Sequence, residues 1–193
     1  MTRTFWSCLL GVLAFVATSS ATTINLLDSN TANPVVTVSV SITDIAGGVR
    51  IQATVNPMVP SAEGDLIGLY FNYDGIAPAD NAVTTSVNSY TDGNNDPDDP
   101  GVVYEKKSGG KAGPFNLSAN TLFFAIGGNG IGQNKYDISF ISFDALSTPA
   151  LEASKFLSAV GRVTSVTEFN VDGSVKGRGG SLWLVNSAYP QIP

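Results

Sequence analysis

The stretch from Val35 to Val55, VVTVSVSITDIAGGVRIQATV, decides how the chain is read. Val36, Val38, Val40 and Ile42 fall at every second position, with Thr37, Ser39 and Ser41 between them. Successive side chains of a strand point to opposite faces, so this run predicts a strand with one buried and one solvated face. After Asp44-Ile45-Ala46-Gly47-Gly48 the alternation resumes: Val49, Ile51, Ala53 and Val55 on one side, Arg50, Gln52 and Thr54 on the other. A Gly-Gly pair between two alternating runs is a hairpin signal, because glycine reaches positive φ without steric cost. Asn56-Pro57 and Val59-Pro60 then interrupt the pattern.

Working outward, Asp65–Tyr73 (DLIGLYFNY) is apolar on both faces and predicts a central strand, whereas the polar Ala82–Tyr90 predicts an edge. Val102–Glu105, Thr121–Ile126, Tyr136–Phe143, Ala159–Val166 and Ser181–Val185 add further strands. In Tyr136–Phe143 the apolar phase slips by one residue between Phe140 and Ile141, the signature of a β-bulge or a strand end. Thr148–Ser158 has helical offsets at Leu151, Lys155 and Phe156, with Pro149 suited to a first helical turn. The expectation is an all-β, antiparallel, jelly-roll-like β-sandwich of about nine strands with one short helix near 149–158.

Residues 1–21 read as a secretory signal peptide. Arg3 supplies positive charge, Cys8–Ala17 is an apolar run of about ten residues, and Ser19 and Ala21 place small side chains at −3 and −1 of a cut after Ala21. The run is shorter than the roughly 20 apolar residues that cross a bilayer, and no second such run follows. Residues 22–193 are then expected to form a single secreted, extracellular domain with no membrane span. The chain has no histidine, and its one cysteine, Cys8, lies in the leader. That composition excludes a Ser-His-Asp triad, a His or Cys metal site and a thiol nucleophile from 22–193. Charged residues make up 13% of the chain and the formal charge is −6. An acidic domain lacks the basic face that phosphate binding needs, so no nucleic-acid partner is expected.

The sharpest local feature is Asp92-Gly93-Asn94-Asn95-Asp96-Pro97-Asp98-Asp99. Asp92, Asn94, Asp96 and Asp98 stand at alternate positions, and Ca²⁺ takes six to eight oxygen ligands, which such side chains can supply. The opening resembles D-x-N-x-D of an EF-hand loop, but Pro97 and Val103 stand where that loop needs glycine and glutamate. Asp, Asn, Gly and Pro are also the residues of an ordinary solvated turn, and both readings stand at this level. Gly127-Gly128-Asn129-Gly130-Ile131-Gly132 lacks G-x-G-x-x-G spacing and leads into a strand, so it reads as a turn. Glu63, Asp65, Glu105, Glu152 and Glu168 are the carboxylates from which a glycosidase pair could be drawn. Tyr70, Tyr73, Tyr90, Tyr104, Tyr136, Trp183 and Tyr189 offer rings either for stacking sugars or for filling the core.

Phe123–Phe143 (FFAIGGNGIGQNKYDISFISF), Ala159–Leu184 (AVGRVTSVTEFNVDGSVKGRGGSLWL) and Gly64–Phe71 (GDLIGLYF) together resemble a recurrent bacterial, notably cyanobacterial, secreted β-domain of unknown function. These stretches span roughly a third to a half of 22–193 in family-like order. Many such proteins carry a C-terminal Pro-Glu-Pro sorting signal. This chain ends Ala188-Tyr189-Pro190-Gln191-Ile192-Pro193, so release rather than sorting is expected. The resemblance implies a secreted β-domain and supplies no catalytic residue. The functional expectation is a non-enzymatic binding or structural protein of the extracellular matrix or cell envelope, adhesive and calcium-assisted. Its partner would be an extracellular glycan or protein, or a second copy through exposed strand edges. The alternatives are a carbohydrate-binding module and a carbohydrate-active enzyme using two carboxylates.

Overall fold

In a computed structural model, residues 19–28, 36–58, 63–92, 100–127, 138–169, 175–178 and 182–186 are described. The chain runs through β1 (Ala21–Asp28), β2 (Val36–Ile45), β3 (Gly48–Pro57), β4 (Glu63–Tyr73) and β5 (Val83–Asp92). It continues through β6 (Val102–Lys107), the two-residue strands β7 (Lys111–Ala112) and β8 (Phe115–Asn116), and β9 (Thr121–Ile126). β10 (Ile138–Ser147), β11 (Phe156–Phe169), β12 (Val175–Arg178) and β13 (Leu182–Val185) follow.

The alternating stretch folds as expected. β2 and β3 pair from Val36↔Pro57 to Ile45↔Gly48 without a break in register. The tight turn between them is closed by Gly47 at φ +82°, a conformation that L side chains rarely adopt. Val36, Val38, Val40, Ile42, Val49, Ile51 and Ala53 are fully buried. The polar residues between them lie on the opposite face, since a two-residue period admits no other arrangement.

This hairpin is the centre of one half of a large antiparallel sheet of order β5-β10-β3-β2-β1-β13-β11-β4-β9-β6, with β12 attached to β11. β1 joins the halves: Ala21–Leu26 pair with β2, and Leu27 and Asp28 pair with Val185 and Leu184 of β13. At the far ends β5 and β6 approach each other, where the Thr85 hydroxyl donates to the Val102 carbonyl at 2.5 Å, so the sheet nearly closes into a barrel. Near closure limits the number of strand edges left open to other chains. On β6, Asp80 accepts the Lys106 N–H at 2.5 Å and the Tyr104 hydroxyl donates to the Pro78 carbonyl at 2.9 Å.

Inside, β2, β3 and β10 face β4 and β9 across one core. Phe124 sits against Phe71, Tyr104 and Phe143, with ring centroids 6.0, 5.4 and 5.3 Å away. Full burial of a Leu, Ile or Phe contributes about 1.5–3 kcal/mol, and sixteen such side chains among the described residues line this interior. A second, smaller cluster lies outside the barrel, on the outer face of β4, β9, β11 and β13. There Tyr70, Phe123, Ala125, Val160 and Val185 are covered by Ala112 and Phe115 of the β7–β8 hairpin.

Asp65–Tyr73 is central, between β11 and β9, and Ala82–Tyr90 is at the sheet's end, both as expected. A phase slip is present but lies earlier than expected: the register shift against β5 falls between Ile138 and Phe140, so Ile138, Ile141, Phe143 and Ala145 face the core and Phe140 does not share the face of Ile138. Two expectations are corrected. The short helix near 149–158 does not form. Residues 153–155 make a single 3₁₀ turn, and Phe156 already opens β11, paired with Tyr73. Leu151, Ala153 and Phe156 are all buried against the sheet, a tertiary demand that outweighs the weak helical preference of so short a segment. The count of about nine strands becomes thirteen among the described residues. The additions are β1, β7, β8 and β12: β7 and β8 are too short to show a period, and β1 follows directly on the apolar leader. No helix among the described residues is long and apolar enough to cross a membrane.

Candidate functional site

Of the proposed calcium ligands, Asp92 ends β5, half-buried and opposite Ile138 of β10. Asn94, Asp96 and Asp98 lie outside the described residues. Among the described residues no group of three or more acidic side chains converges on a point. The described carboxylates hold the fold together. Asp65 is buried and accepts from the Ile138 N–H at 3.1 Å and the Thr164 hydroxyl at 3.2 Å, tying β4 to β10 and β11. Glu105 pairs with Lys107, and Glu152 pairs with Lys155 at 2.7 Å. Glu63 and Glu168 are placed on β4 and β11 by the backbone.

The tyrosines are mostly interior. Tyr73 and Tyr104 are in the core, and Tyr90 packs against it. Burial pushes both the Tyr73 and Tyr104 phenols above their ordinary range. Tyr70 belongs to the outer cluster, stacked on Phe123 at 4.2 Å and tilted against Trp183 at 6.0 Å. Its phenol is pushed up to about 12, chiefly by burial. The Lys107 ammonium lies 5.1 Å from the Phe123 ring and the Arg162 guanidinium 5.4 Å from Trp183. Gly113, at φ +56°, sits directly on Trp183; a Cβ there would fall 2.4 Å from the ring. This aromatic group is therefore sealed by its own hairpin. Tyr136 and Tyr189 lie outside the described residues.

The open surface is the outer face of β1, β2, β3, β10 and β5. Antiparallel register sets its side chains in rows across the strands. One row runs Thr23, Ser41, Gln52, Ser142, Ser89, with Ser142 itself buried; the next runs Asn25, Ser39, Thr54, Phe140, Thr91. A third crosses Thr43, Arg50, Asp144 and Ser86. Arg50 binds Asp144 through two hydrogen bonds, Nε–Oδ1 at 2.8 Å and Nη2–Oδ2 at 3.0 Å, and Asn88 Nδ2 donates to Oδ1 at 2.8 Å. The Arg50 bonds, and then Asn88, hold the Asp144 carboxyl below the usual carboxylate range despite its partial burial. The ion pair cancels its own charge, and the other polar side chains of these rows are uncharged, so the face offers hydroxyls and amides without a net field. Phe140 stands partly exposed among them, between Thr54 and Thr91. Beyond the Asp144 row, Gly47, Ala82, Thr84, Leu146, Ser147 and Thr148 line a shallow depression of about 470 Å³.

Reading rings as tyrosine and tryptophan platforms overlooked Phe140. The register shift before it, between Ile138 and Phe140, turns Phe140 away from the core that Ile138, Ile141 and Phe143 enter, whereas the alternation in sequence places Phe140 on the face of Ile138. The chain matches no protein-family model, no curated protein and no solved structure.

Proposed function

We propose that this chain is a secreted, non-enzymatic binding protein of the extracellular matrix or cell envelope, holding a neutral extracellular glycan on the outer face of β1, β2, β3, β10 and β5. The observation that carries this reading is Phe140, an aromatic ring partly exposed in the middle of rows of Ser, Thr, Asn and Gln. A sugar ring has an apolar C–H face that stacks on an aromatic ring and a rim of hydroxyls that exchange hydrogen bonds with hydroxyl and amide side chains. Each such hydrogen bond contributes about 0.5–1.5 kcal/mol net, so single-site affinity is modest and adhesion to a repeating polymer gains from several contacts at once. We read the nearly closed sheet as a flattened, jelly-roll-like sandwich and keep the resemblance to bacterial secreted β-domains within this proposal.

Calcium assistance belongs to the same reading. Asp92 follows Thr91, the residue of β5 paired with Phe140, so a cation on Asp92, Asn94, Asp96 and Asp98 would brace the chain next to the glycan face. A glycan array run with wild type and Phe140→Ala tests the proposal: binding to a neutral polysaccharide that the variant loses is expected. Equal binding by both proteins, or product formation on a hydrolase panel that a Glu105→Gln variant abolishes, would overturn it. For calcium, coincident thermal melts with the cation and with chelator would sink that part, as would equal calcium shifts for wild type and Asp96→Ala/Asp98→Ala.

A further inference from the structure

The carboxylate of Asp44, at the end of β2, is committed to two partners from distant segments. Its Oδ1 accepts the Ala153 N–H at 2.6 Å, and its Oδ2 accepts the N–H of Ser20 at 3.2 Å. The backbone of Asp44 returns the contact, its N–H donating to the Ser20 carbonyl at 3.0 Å. One residue on, Ala21 pairs with Thr43, and the Thr22 hydroxyl donates to the Ala153 carbonyl at 2.9 Å. Leu26 and Ile24 are buried, and Thr22 and Ser20 continue their side of the strand half-buried, while Ser19 is exposed. The inward alternation of the first strand thus starts at Ser20.

Two cuts satisfy the small-residue rule for a leader peptidase. One follows Ala21, with Ser19 at −3; the other follows Ser19, with Ala17 at −3. Cleavage precedes folding, so the fold does not steer the protease, but it shows which residues the finished domain uses. A cut after Ala21 removes the Ala21–Thr43 pair and both hydrogen bonds between Ser20 and Asp44, one to the carboxylate and one between backbones. A cut after Ser19 keeps them all and turns the Ser20 N–H into an α-ammonium beside a carboxylate already in place. The bond to the carboxylate is already charge-assisted, and the new ammonium adds the Coulomb attraction of an ion pair to it.

We propose that Ser19–Ser20 is the processing site and that the new amino terminus, the α-ammonium of Ser20, docks on Asp44 and fastens the first strand to the 3₁₀ turn at Ala153. The inference rests on the secretion reading. N-terminal sequencing of the full chain expressed in a secreting bacterial host tests it. Ser20 as the first residue is expected. Thr22 as the first residue would overturn this inference and leave secretion standing; product retaining residues 1–19 throughout would overturn both. A second measurement isolates the ion pair. Asp44→Asn still accepts from Ala153, and in the chain beginning at Ser20 it should lower Tm by about 2–4 °C more than in the same chain acetylated at Ser20. An equal shift in the two forms would overturn the docking.

Discussion

The two halves of the sheet are built from the same alternating strands and end with opposite outer surfaces. In β2 and β3 burial alternates strictly, and the outer side chains are Ser, Thr, Gln and Arg in contact with water. In β9 all six residues are buried, and in β4 the run from Gly64 to Phe71 is buried without interruption. The difference is the β7–β8 hairpin, which adds a second layer over Tyr70, Phe123 and Val160 and makes that part of the sheet two-sided. One half spends its outer face on stability; on the other, no hairpin among the described residues lies over the rows, and only Ser142 within them is buried. A binding function belongs on the open one, since a covered face must first be opened.

The largest effect should come where the halves meet. Phe143 of β10 and Phe124 of β9 touch across the core at 5.3 Å, and both are fully buried. Phe143→Ala should cost about 3–5 kcal/mol, read from urea melts, and should loosen both halves together. A melt in which only one half opened would break the picture of a single shared core.

Next is the covered face alone. Gly113→Ala puts a Cβ 2.4 Å from Trp183 at a φ of +56°, so the hairpin must lift. The expected cost is about 1–3 kcal/mol, with the emission of Trp183 shifting to the red. Tyr70 gives a second readout. Burial raises its folded pKa to about 12, above the unfolded value near 10. Its contribution to stability is therefore complete below about pH 10 and is lost as pH rises through about 12. In Gly113→Ala the ionisation of Tyr70, followed by ultraviolet absorbance, should move down toward 10. An unchanged titration would mean that the hairpin is not what buries it.

How much of this was legible in the chain follows the same divide. The open half could be read closely, because Val36–Val55 has a clean two-residue period and a Gly turn, and the broken alternation of Tyr136–Phe143 announced an irregularity in β10, though not its place between Ile138 and Phe140. The covered half was legible as strands but not as a two-layered surface. Lys111–Asn116 is too short to show a period, and nothing local says that Phe115 will be buried on Tyr70 and Phe123. The helix expected near 149–158 failed for a related reason: Leu151 and Phe156 answer to the sheet they pack on, not to their neighbours in sequence. For the site, aromatic residue type was a poor guide, sending attention to Tyr73 and Tyr104, which the core absorbs. Phe140 was hidden for a different reason: the alternation in sequence groups it with Ile138, and only the register shift between the two turns it outward.

On the open half, Asp144→Asn should act through pH. Hydrogen bonds from Arg50 hold the Asp144 carboxyl below its ordinary value, so its contribution is present above about pH 4, the unfolded value, and is lost as pH falls through the lower folded value. Wild type should be the more stable protein at neutral pH, by less than the Gly113 effect because Arg50 is largely exposed, and the two melts should converge in strong acid. A gap that persisted there would assign the loss to packing instead of charge.

The smallest effect on stability is the one that tests function. Gln52 is exposed and Thr54 partly so on the outer face, and neither belongs to the core. Surface changes of this kind stay within about 0.5 kcal/mol, so Gln52→Ala and Thr54→Ala should melt like wild type. If a glycan lies across their rows, each change removes hydrogen bonds worth about 0.5–1.5 kcal/mol, a loss of roughly 2- to 10-fold in affinity by titration calorimetry. The covered face supplies the control: a Val160→Ala variant should lose stability through a buried cavity and leave affinity untouched, provided it is measured well below its Tm. Affinity that followed stability across both faces would mean that the ligand reads the fold as a whole. Affinity that moved only with Gln52, Thr54 and Phe140 would place it on the rows, since the two faces share one scaffold and differ in what lies over it.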